Sequence, residues 1–330
     1  MSEFRFDPIK SEWIVIAADR GERGDYFIQD NFNDPLDERN CPFCLENRFL
    51  LTKIIYEKDD LLVIPNKHPL FMVEKRDTSF GVGPYDFAET MGAHEVIIDC
   101  SKHKLKFNEY TEGVLRNLLL AAKERYFDLK NDKRIKYISF FKNYGFNAGA
   151  TMLHPHSQIA AMFIIPSHIE TELRNTSNFY KYKDRCLFCD IINFESNSRR
   201  FLFESESFIS FAPYASKYPF EMHIYPKKHS ANYFDITSHE LDDLSKMLKD
   251  IFGKMYEKLG RIPFNLVLKS APVNLNSLKY SEYEYVNEFY HYHFEIIPRI
   301  NKYGSLECGY GLFINPVEPE RAVFILKGET

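Results

Sequence analysis

No stretch of about 18 consecutive apolar residues occurs in this 330-residue chain, so a membrane-spanning helix is not expected. The first residues, Met-Ser-Glu-Phe-Arg-Phe, contain no apolar signal core, and a cytoplasmic protein is the expectation. Basic excess is missing too: 42 Lys and Arg stand against 47 Asp and Glu, a net charge of −5. That balance offers nothing to neutralise a phosphate backbone, so nucleic acid is excluded as a bulk electrostatic partner. Tryptophan occurs once, although 30 Phe and 21 Tyr promise aromatic-rich cores. Cysteine is scarce, at six residues, and in a reducing compartment these read as thiols or metal ligands rather than disulfides. What remains is a chain long enough for two ordinary domains.

The cysteines give the organisation. Cys41-Pro-Phe-Cys44 recurs as Cys186-Leu-Phe-Cys189. The run Leu61-Leu-Val-Ile-Pro65 is echoed by Phe208-Ile-Ser-Phe-Ala-Pro213. Each is followed by a strand ending in Lys-His, at His103 and at His229. Apolar residues at helical spacing then mark helices over 115–129 and 241–259, each followed by a strand. Both series close on paired histidines, His154-Pro-His156 and His291-Tyr-His293. The order predicts an α+β fold of two duplicated units, each an antiparallel sheet with a packed helix. The units are expected at 1–175 and 176–330, with the boundary in the polar stretch Ser167 to Arg185. Residues 4–18 read as an opening strand with Phe4, Phe6, Trp13, Ile14, Val15 and Ile16 as core candidates. Residues 74–89 read as an irregular excursion.

A Cys-x-x-Cys turn brings two thiolates to one ion, and a tetrahedral structural zinc site needs two more ligands. The repeat supplies them: His103 and His154 beside Cys41 and Cys44, His229 and His291 beside Cys186 and Cys189. Either set is Cys2His2, with no position left for water, so each would stabilise the fold rather than act as a Lewis acid. Buried free cysteines are the alternative. Cys100 and Cys308 lack such a context and are expected in the core. If His154 binds metal, His156 is free as a nucleophile towards phosphorus. Gly145 and Gly149 precede it in a turn that can take positive φ, and a backbone cradle for phosphate is expected over 145–150. Pro155 suggests an edge strand or an irregular exit from one. Gln158, on the same side as His156, offers an amide hydrogen bond but no transferable proton, which favours transfer over hydrolysis. His68, His94, His168, His223 and His239 have no partner pattern and are expected at the surface or as satisfied core residues.

The series Phe141-Lys-Asn143, Gly149-x-Thr151 and His154-Pro-His156-x-Gln158 resembles the galactose-1-phosphate uridylyltransferase family, a two-unit branch of the histidine-triad superfamily. The resemblance implies that His156 is the nucleophile and that His154 is a zinc ligand with Cys41, Cys44 and His103. It also implies that Arg20 and Arg23 contact the donor phosphates, that Asn66 contacts the nucleotide, and that Asn143, Gly149 and Thr151 line the phosphate and sugar-phosphate site. Ser157 departs from the His-Pro-His-Gly-Gln of enterobacterial members. The second cysteine pair and the tail Leu306-Glu-Cys-Gly-Tyr-Gly-Leu-Phe-Ile-Asn315 are similar to a subgroup that includes ADP-glucose phosphorylases, and there Glu307 would contact sugar.

The function so implied is nucleotidyl transfer through a covalent nucleotidyl-histidine. A nucleotide-sugar and a sugar 1-phosphate are the substrates, UDP-glucose and galactose 1-phosphate by family, and the assembly is a homodimer. Phosphorolysis of ADP-glucose is the alternative, dinucleotide hydrolysis a third, and a zinc-stabilised nucleotide-binding module without turnover the non-enzymatic reading. The second unit has His293 at the nucleophile's place, but Phe294-Glu295 replaces Ser-Gln, so that unit is expected to be catalytically silent.

Overall fold

The computed structural model describes residues 2–21, 27, 30, 32, 36–51, 53–75, 79–276 and 278–329. The first half carries β1 (Glu3–Asp7), β2 (Glu12–Ile16), the single turn α1 (Ala18–Gly21), β3 (Tyr56–Lys58), β4 (Leu61–Pro65), the pair β5 (Ser79–Val82) and β6 (Tyr85–Ala88), β7 (Gly92–Ile98), α2 (Glu112–Leu129), β8 (Tyr137–Tyr144) and β9 (His156–Met162). The second carries α3 (Ser167–Lys183), α4 (Leu187–Glu195), β10 (Phe201–Glu204), β11 (Phe208–Phe211), β12 (Met222–Pro226), α5 (Ser238–Leu259), β13 (Phe264–Lys269), α6 (Val286–Phe289), β14 (His293–Pro298), α7 (Ser305–Tyr310), β15 (Ile314–Asn315) and α8 (Pro319–Lys327).

Ten of these strands form one sheet in the order β10-β11-β12-β14-β13-β8-β9-β7-β4-β3, antiparallel at every pairing. Read outward from the β8–β13 seam, the two halves present matching strands: β8 with β13, β9 with β14, β7 with β12, β4 with β11, β3 with β10. The seam pairs Asn143 with Asn265 and Phe140 with Leu268. The α+β, antiparallel expectation holds. One hydrophobic core nevertheless runs through both halves, taking Leu118 and Phe140 from the first and Phe252 and Phe294 from the second. We propose the division at 175/176 as one between repeat units sharing this sheet and core. The polar stretch expected to hold the boundary is helical: α3 buries Ile169, Glu172, Leu173, Thr176 and Ser177.

The long helices form where their ends and faces favour it. The Thr111 hydroxyl caps α2 by accepting from the Val114 amide, and Leu115, Leu118, Leu119, Ala122 and Tyr126 give it a buried stripe. Helix α5 opens with a reciprocal box in which Thr237 accepts from the Glu240 amide and Glu240 accepts from the Thr237 amide. It ends at Gly260, with φ of 72°. The two helices pack together on one face of the sheet, tied by Arg116 to Asp242 and Ser238, while the Tyr233 hydroxyl, in the turn before α5, donates to the Leu119 carbonyl of α2.

Three expectations change. The opening segment is a hairpin rather than one strand, with β2 paired also to β15 in a separate three-stranded sheet. Alternation across that hairpin buries Ile14 and Ile16 but turns Phe4, Phe6 and Trp13 outward, Trp13 being 56% exposed. The excursion at 74–89 contains the regular, exposed hairpin β5–β6. Strand β9 is central rather than an edge: Pro155 stands one residue before it, so the missing N–H interrupts no ladder bond.

A buried bidentate pair fastens α2 to the sheet. Arg125 Nε and Nη2 donate to the two Glu95 oxygens, both at 2.7 Å, and both side chains are under a tenth exposed. Removing only the cation strands a buried carboxylate, so Arg125→Met is expected to cost about 3–5 kcal/mol in urea unfolding. The double variant Arg125→Met with Glu95→Gln is expected to recover a large part of that loss.

Candidate active site

Two Cys2His2 clusters are assembled as expected. Cys41, Cys44, His103 and His154 form one, and Cys186, Cys189, His229 and His291 the other; within each, all ligand atoms lie within 4.8 Å of one another. In the first, Cys41 Sγ and Cys44 Sγ each lie 3.6 Å from His154 Nδ1, Cys44 Sγ is 3.2 Å from His103 Nδ1, and the two Nδ1 atoms are 3.4 Å apart. A tetrahedral zinc with ordinary Zn–S and Zn–N bonds sets its ligands about 3.3–3.8 Å apart. The outer nitrogens agree: His154 Nε2 donates to the Cys100 carbonyl and His103 Nε2 to that of Leu36. This fixes the tautomer with both Nδ1 lone pairs facing inward. Burial holds His154 down to about 4, hence neutral near pH 7.

The second cluster repeats the design. Cys189 Sγ lies 3.3 Å from His229 Nδ1 and 3.8 Å from His291 Nδ1, while the Nε2 atoms donate to the Asn287 and Pro226 carbonyls. Both residue sets therefore fit zinc in a closed, structural role. The other two cysteines part ways: Cys100 is buried, but Cys308 is exposed on α7, so the core expectation fails for it. A six-residue helix cannot turn every face inward.

His156 begins β9 and is only 8% exposed. Its Nδ1–H donates to the His154 carbonyl at 2.8 Å, which leaves the Nε2 lone pair as the nucleophilic one. Burial first, and then the Lys142 charge, press its pKa below the usual histidine range. Lys142 Nζ donates to the His156 carbonyl at 2.8 Å and pairs with Asp99 at 2.6 Å; Asp99 in turn accepts from the Tyr110 hydroxyl. The Phe43 ring, held inside the first cysteine turn, packs 5.8 Å from both the His154 and the His156 rings.

Gln158 is oriented by a residue that carries no motif. The Leu70 amide donates to His94 Nδ1 at 3.1 Å, so His94 Nε2 carries the proton and donates to Gln158 Oε1 at 2.9 Å. The Gln158 NH2 group is thereby left to donate elsewhere. His94 was expected to be an unremarkable buried or surface histidine; it is buried, and it aims Gln158. The available signal was register: Val96 stands opposite Gln158, which makes His94 its diagonal neighbour on the same face. Asn143 is aimed in the same way from the other half, since Asn265 Nδ2 donates to Asn143 Oδ1 at 2.8 Å.

The turn before the histidines takes positive φ at Gly145 (85°) and Gly149 (88°). A Cβ on Gly145 would come within 2.8 Å of Asp30 Oδ2 and of Pro263 Cβ. The expected backbone cradle is not open, however. The Asn147 amide donates to Asp30, and those of Ala148, Gly149 and Ala150 donate to the carbonyls of Gly145 and Phe146. The turn closes on itself, so phosphate contacts fall to side chains. Asn66 is half-buried, its Oδ1 accepting from the His68 amide; Thr151 and Arg20 are exposed. Arg23 lies outside the described residues. Glu307 lies on α7, capping its own helix by accepting from the Gly304 amide at 2.8 Å.

This arrangement is that of histidine-dependent nucleotidyl-transfer enzymes built on a duplicated histidine-triad fold. The sequence matches the family described as galactose-1-phosphate uridyl transferase, C-terminal domain, over residues 137–318, more than half of the chain. A second match, to the N-terminal part of a domain of unknown function, covers residues 85–165. The chain belongs to the galactose-1-phosphate uridylyltransferase family. It is 29% identical to a galactose-1-phosphate uridylyltransferase of Thermotoga maritima, over 98% of this chain and 96% of that one. It is 28% identical to an ADP-glucose phosphorylase of Arabidopsis thaliana, over 98% and 92%. The crystal structure of an ADP-glucose phosphorylase from Arabidopsis thaliana with bound ADP-glucose superposes with a TM-score of 0.84 at 26% identity, covering 100% of both chains.

If both clusters hold zinc, freshly purified protein contains about two zinc ions per chain, and Cys44→Ser or Cys189→Ser each lowers the content to about one. Elemental analysis with protein quantitation checks this; less than one per chain in the parent protein contradicts it.

Proposed function

We propose that this enzyme moves a nucleotidyl group from a nucleotide-sugar to a sugar 1-phosphate by way of His156, with UDP-glucose and galactose 1-phosphate as the pair. The single observation that carries the reading is the 2.8 Å bond from His156 Nδ1 to the His154 carbonyl, which exposes Nε2 as the nucleophilic nitrogen. In the first displacement, the Nε2 lone pair attacks the α-phosphorus in line. The bond to the bridging oxygen breaks, and glucose 1-phosphate leaves with the electron pair. No proton moves: the positive charge gained by the ring is stabilised at Nδ1–H by the His154 carbonyl. In the second, a phosphate oxygen of the acceptor attacks the same phosphorus, and the P–N bond returns its electrons to Nε2.

The side chains take matching parts. Gln158 and Asn143, aimed by His94 and Asn265, donate amide protons to the phosphoryl oxygens. Asn66, Thr151, Arg20 and Arg23 complete the nucleotide and phosphate contacts, Gly149 lines the phosphate site without a side chain to fill it, and Glu307 contacts sugar. Because Gln158 holds no proton to deliver to the departing phosphate, the adduct persists for an acceptor instead of being hydrolysed. Zinc, when bound in the two clusters, supplies rigidity and no Lewis-acid step; Cys41, Cys44, His103 and His154 hold it in the first, and Cys186, Cys189, His229 and His291 in the second. The catalytic chemistry stays in the first half. We further propose a cytoplasmic homodimer. Among the described residues, no helix is long and apolar enough to cross a membrane.

A second reading is supported by the relative that holds ADP-glucose: adenylyl-His156 resolved by inorganic phosphate, giving ADP and glucose 1-phosphate. Intact-mass spectrometry after brief exposure to UDP-glucose or ADP-glucose separates the two. A UMP adduct absent from His156→Ala is expected, whereas an AMP adduct alone would move the assignment to phosphorolysis. Absence of both adducts from the parent protein would refute histidine-linked transfer from either donor.

The positioning role of His94 gives another expectation. His94→Phe frees the Gln158 amide to rotate, so kcat is expected to fall roughly 10²-fold. KM should change little, and the zinc content should stay at the parent value. Steady-state assays checked by elemental analysis read all three quantities.

A further inference from the structure

The strand face of the second half that matches the catalytic one has no task in this mechanism, yet a cavity of about 480 Å³ lies over it. His293 begins β14 as His156 begins β9, and its Nδ1 donates to the His291 carbonyl at 3.0 Å, the same fastening. Phe188 packs 5.4 Å from the His293 ring, as Phe43 packs on His156. The surroundings then diverge. Tyr225 stacks on His293 at 26° and 4.9 Å, and Phe211 stacks on Tyr225 at 12° and 5.2 Å. These three rings form a flat column beside the cavity. Phe6, Phe194 and Tyr214 stand at its rim, with Phe194 70% exposed.

The charges around it select the ligand. Lys10 and Arg200 are the cations lining the cavity among the described residues, and both are engaged. Lys10 pairs with Glu295 at 2.9 Å; Arg200 pairs with Glu195 at 2.8 Å and with Glu320 at 2.6 Å. A phosphate would meet the Glu295 carboxylate with no free cation to receive it. A purely aliphatic ligand would cover His293 Nε2, 3.7 Å from the Glu295 carboxylate, without offering it a hydrogen bond. A flat, uncharged heterocycle satisfies both conditions, since its faces match the exposed rings of Phe6, Phe194 and Tyr214 and its edge can hydrogen-bond His293 Nε2. The volume lies within the roughly 300–1,000 Å³ of small-molecule sites.

We infer that this cavity is a second, non-catalytic site that binds a nucleoside, base against the aromatic walls, and rejects the corresponding nucleotide. The inference takes from the proposed function only the placing of a nucleotide on the matching face over His156.

The test uses full-length His156→Ala protein, which cannot form the adduct, saturated with UDP-glucose or ADP-glucose to fill the first half. Calorimetric titration with adenosine and with uridine is expected to show one further site per chain for at least one of them. AMP and UMP should bind there at least tenfold more weakly. Adding Ile191→Trp should abolish the site by filling it. Phe194→Ala, a change at an exposed position, should weaken it roughly two- to tenfold by removing one ring. No nucleoside site in the saturated protein, a nucleotide bound as well as its nucleoside, or a site insensitive to both Ile191→Trp and Phe194→Ala would overturn the inference. The outcome is independent of whether the parent protein forms an adduct, because the titrated protein lacks His156.

Discussion

Two imidazole nitrogens with inward lone pairs and two cysteine sulfurs, packed within 4.8 Å in a buried space, are constrained to one another as the donor set of a single cation. That constraint organises the catalytic half. His154 is held by its cluster on one side and by the Cys100 carbonyl on the other. Its own carbonyl is therefore fixed, and this carbonyl holds His156 Nδ1 and so presents Nε2. Phe43, between the two cysteines, packs on both rings. Lys142, inserted beneath the start of β9, holds the His156 carbonyl. In the proposed mechanism the nucleophile is thus positioned by the Cys2His2 cluster, by backbone and by packing, none of which involves the reacting nitrogen.

Duplication explains why the second half can look so similar and act differently. The fastening of His293 reproduces that of His156 within a few tenths of an ångström. What changes is the next position on the same face. Gln158 in the first half is a neutral amide aimed by His94; Glu295 in the second is a carboxylate locked between Lys10 and Lys269. A carboxylate there repels a phosphoryl group. Yet the second half still reaches the candidate site through the seam, where Asn265 orients Asn143 across the β8–β13 pairing. The two units share a sheet, a core and part of a site.

How much of this was legible in the sequence depended on whether the signal was local. Cysteine pairs three apart, histidines two apart and apolar residues at helical spacing are local patterns, and repetition of the series reinforced each of them. The clusters and the helices α2 and α5 were therefore readable. Contacts made through strand register were not: His94 and Gln158 are 64 positions apart, and only the pairing of β7 with β9 makes them neighbours. Composition also could not say which face of the β1–β2 hairpin would meet the core, which is why Trp13 is exposed. The closed turn at 145–150 shows the same limit, because two glycines permit positive φ without saying where the amides point.

In the proposed mechanism His156 reacts through Nε2 because Nδ1 is bound to the His154 carbonyl. The most direct measurement is phosphorus–nitrogen coupling by NMR on 15N-histidine-labelled protein trapped with donor nucleotide-sugar. One phosphoramidate signal is expected, coupled to Nε2 of His156 and absent in His156→Ala. Coupling to Nδ1, or to another histidine, would contradict it.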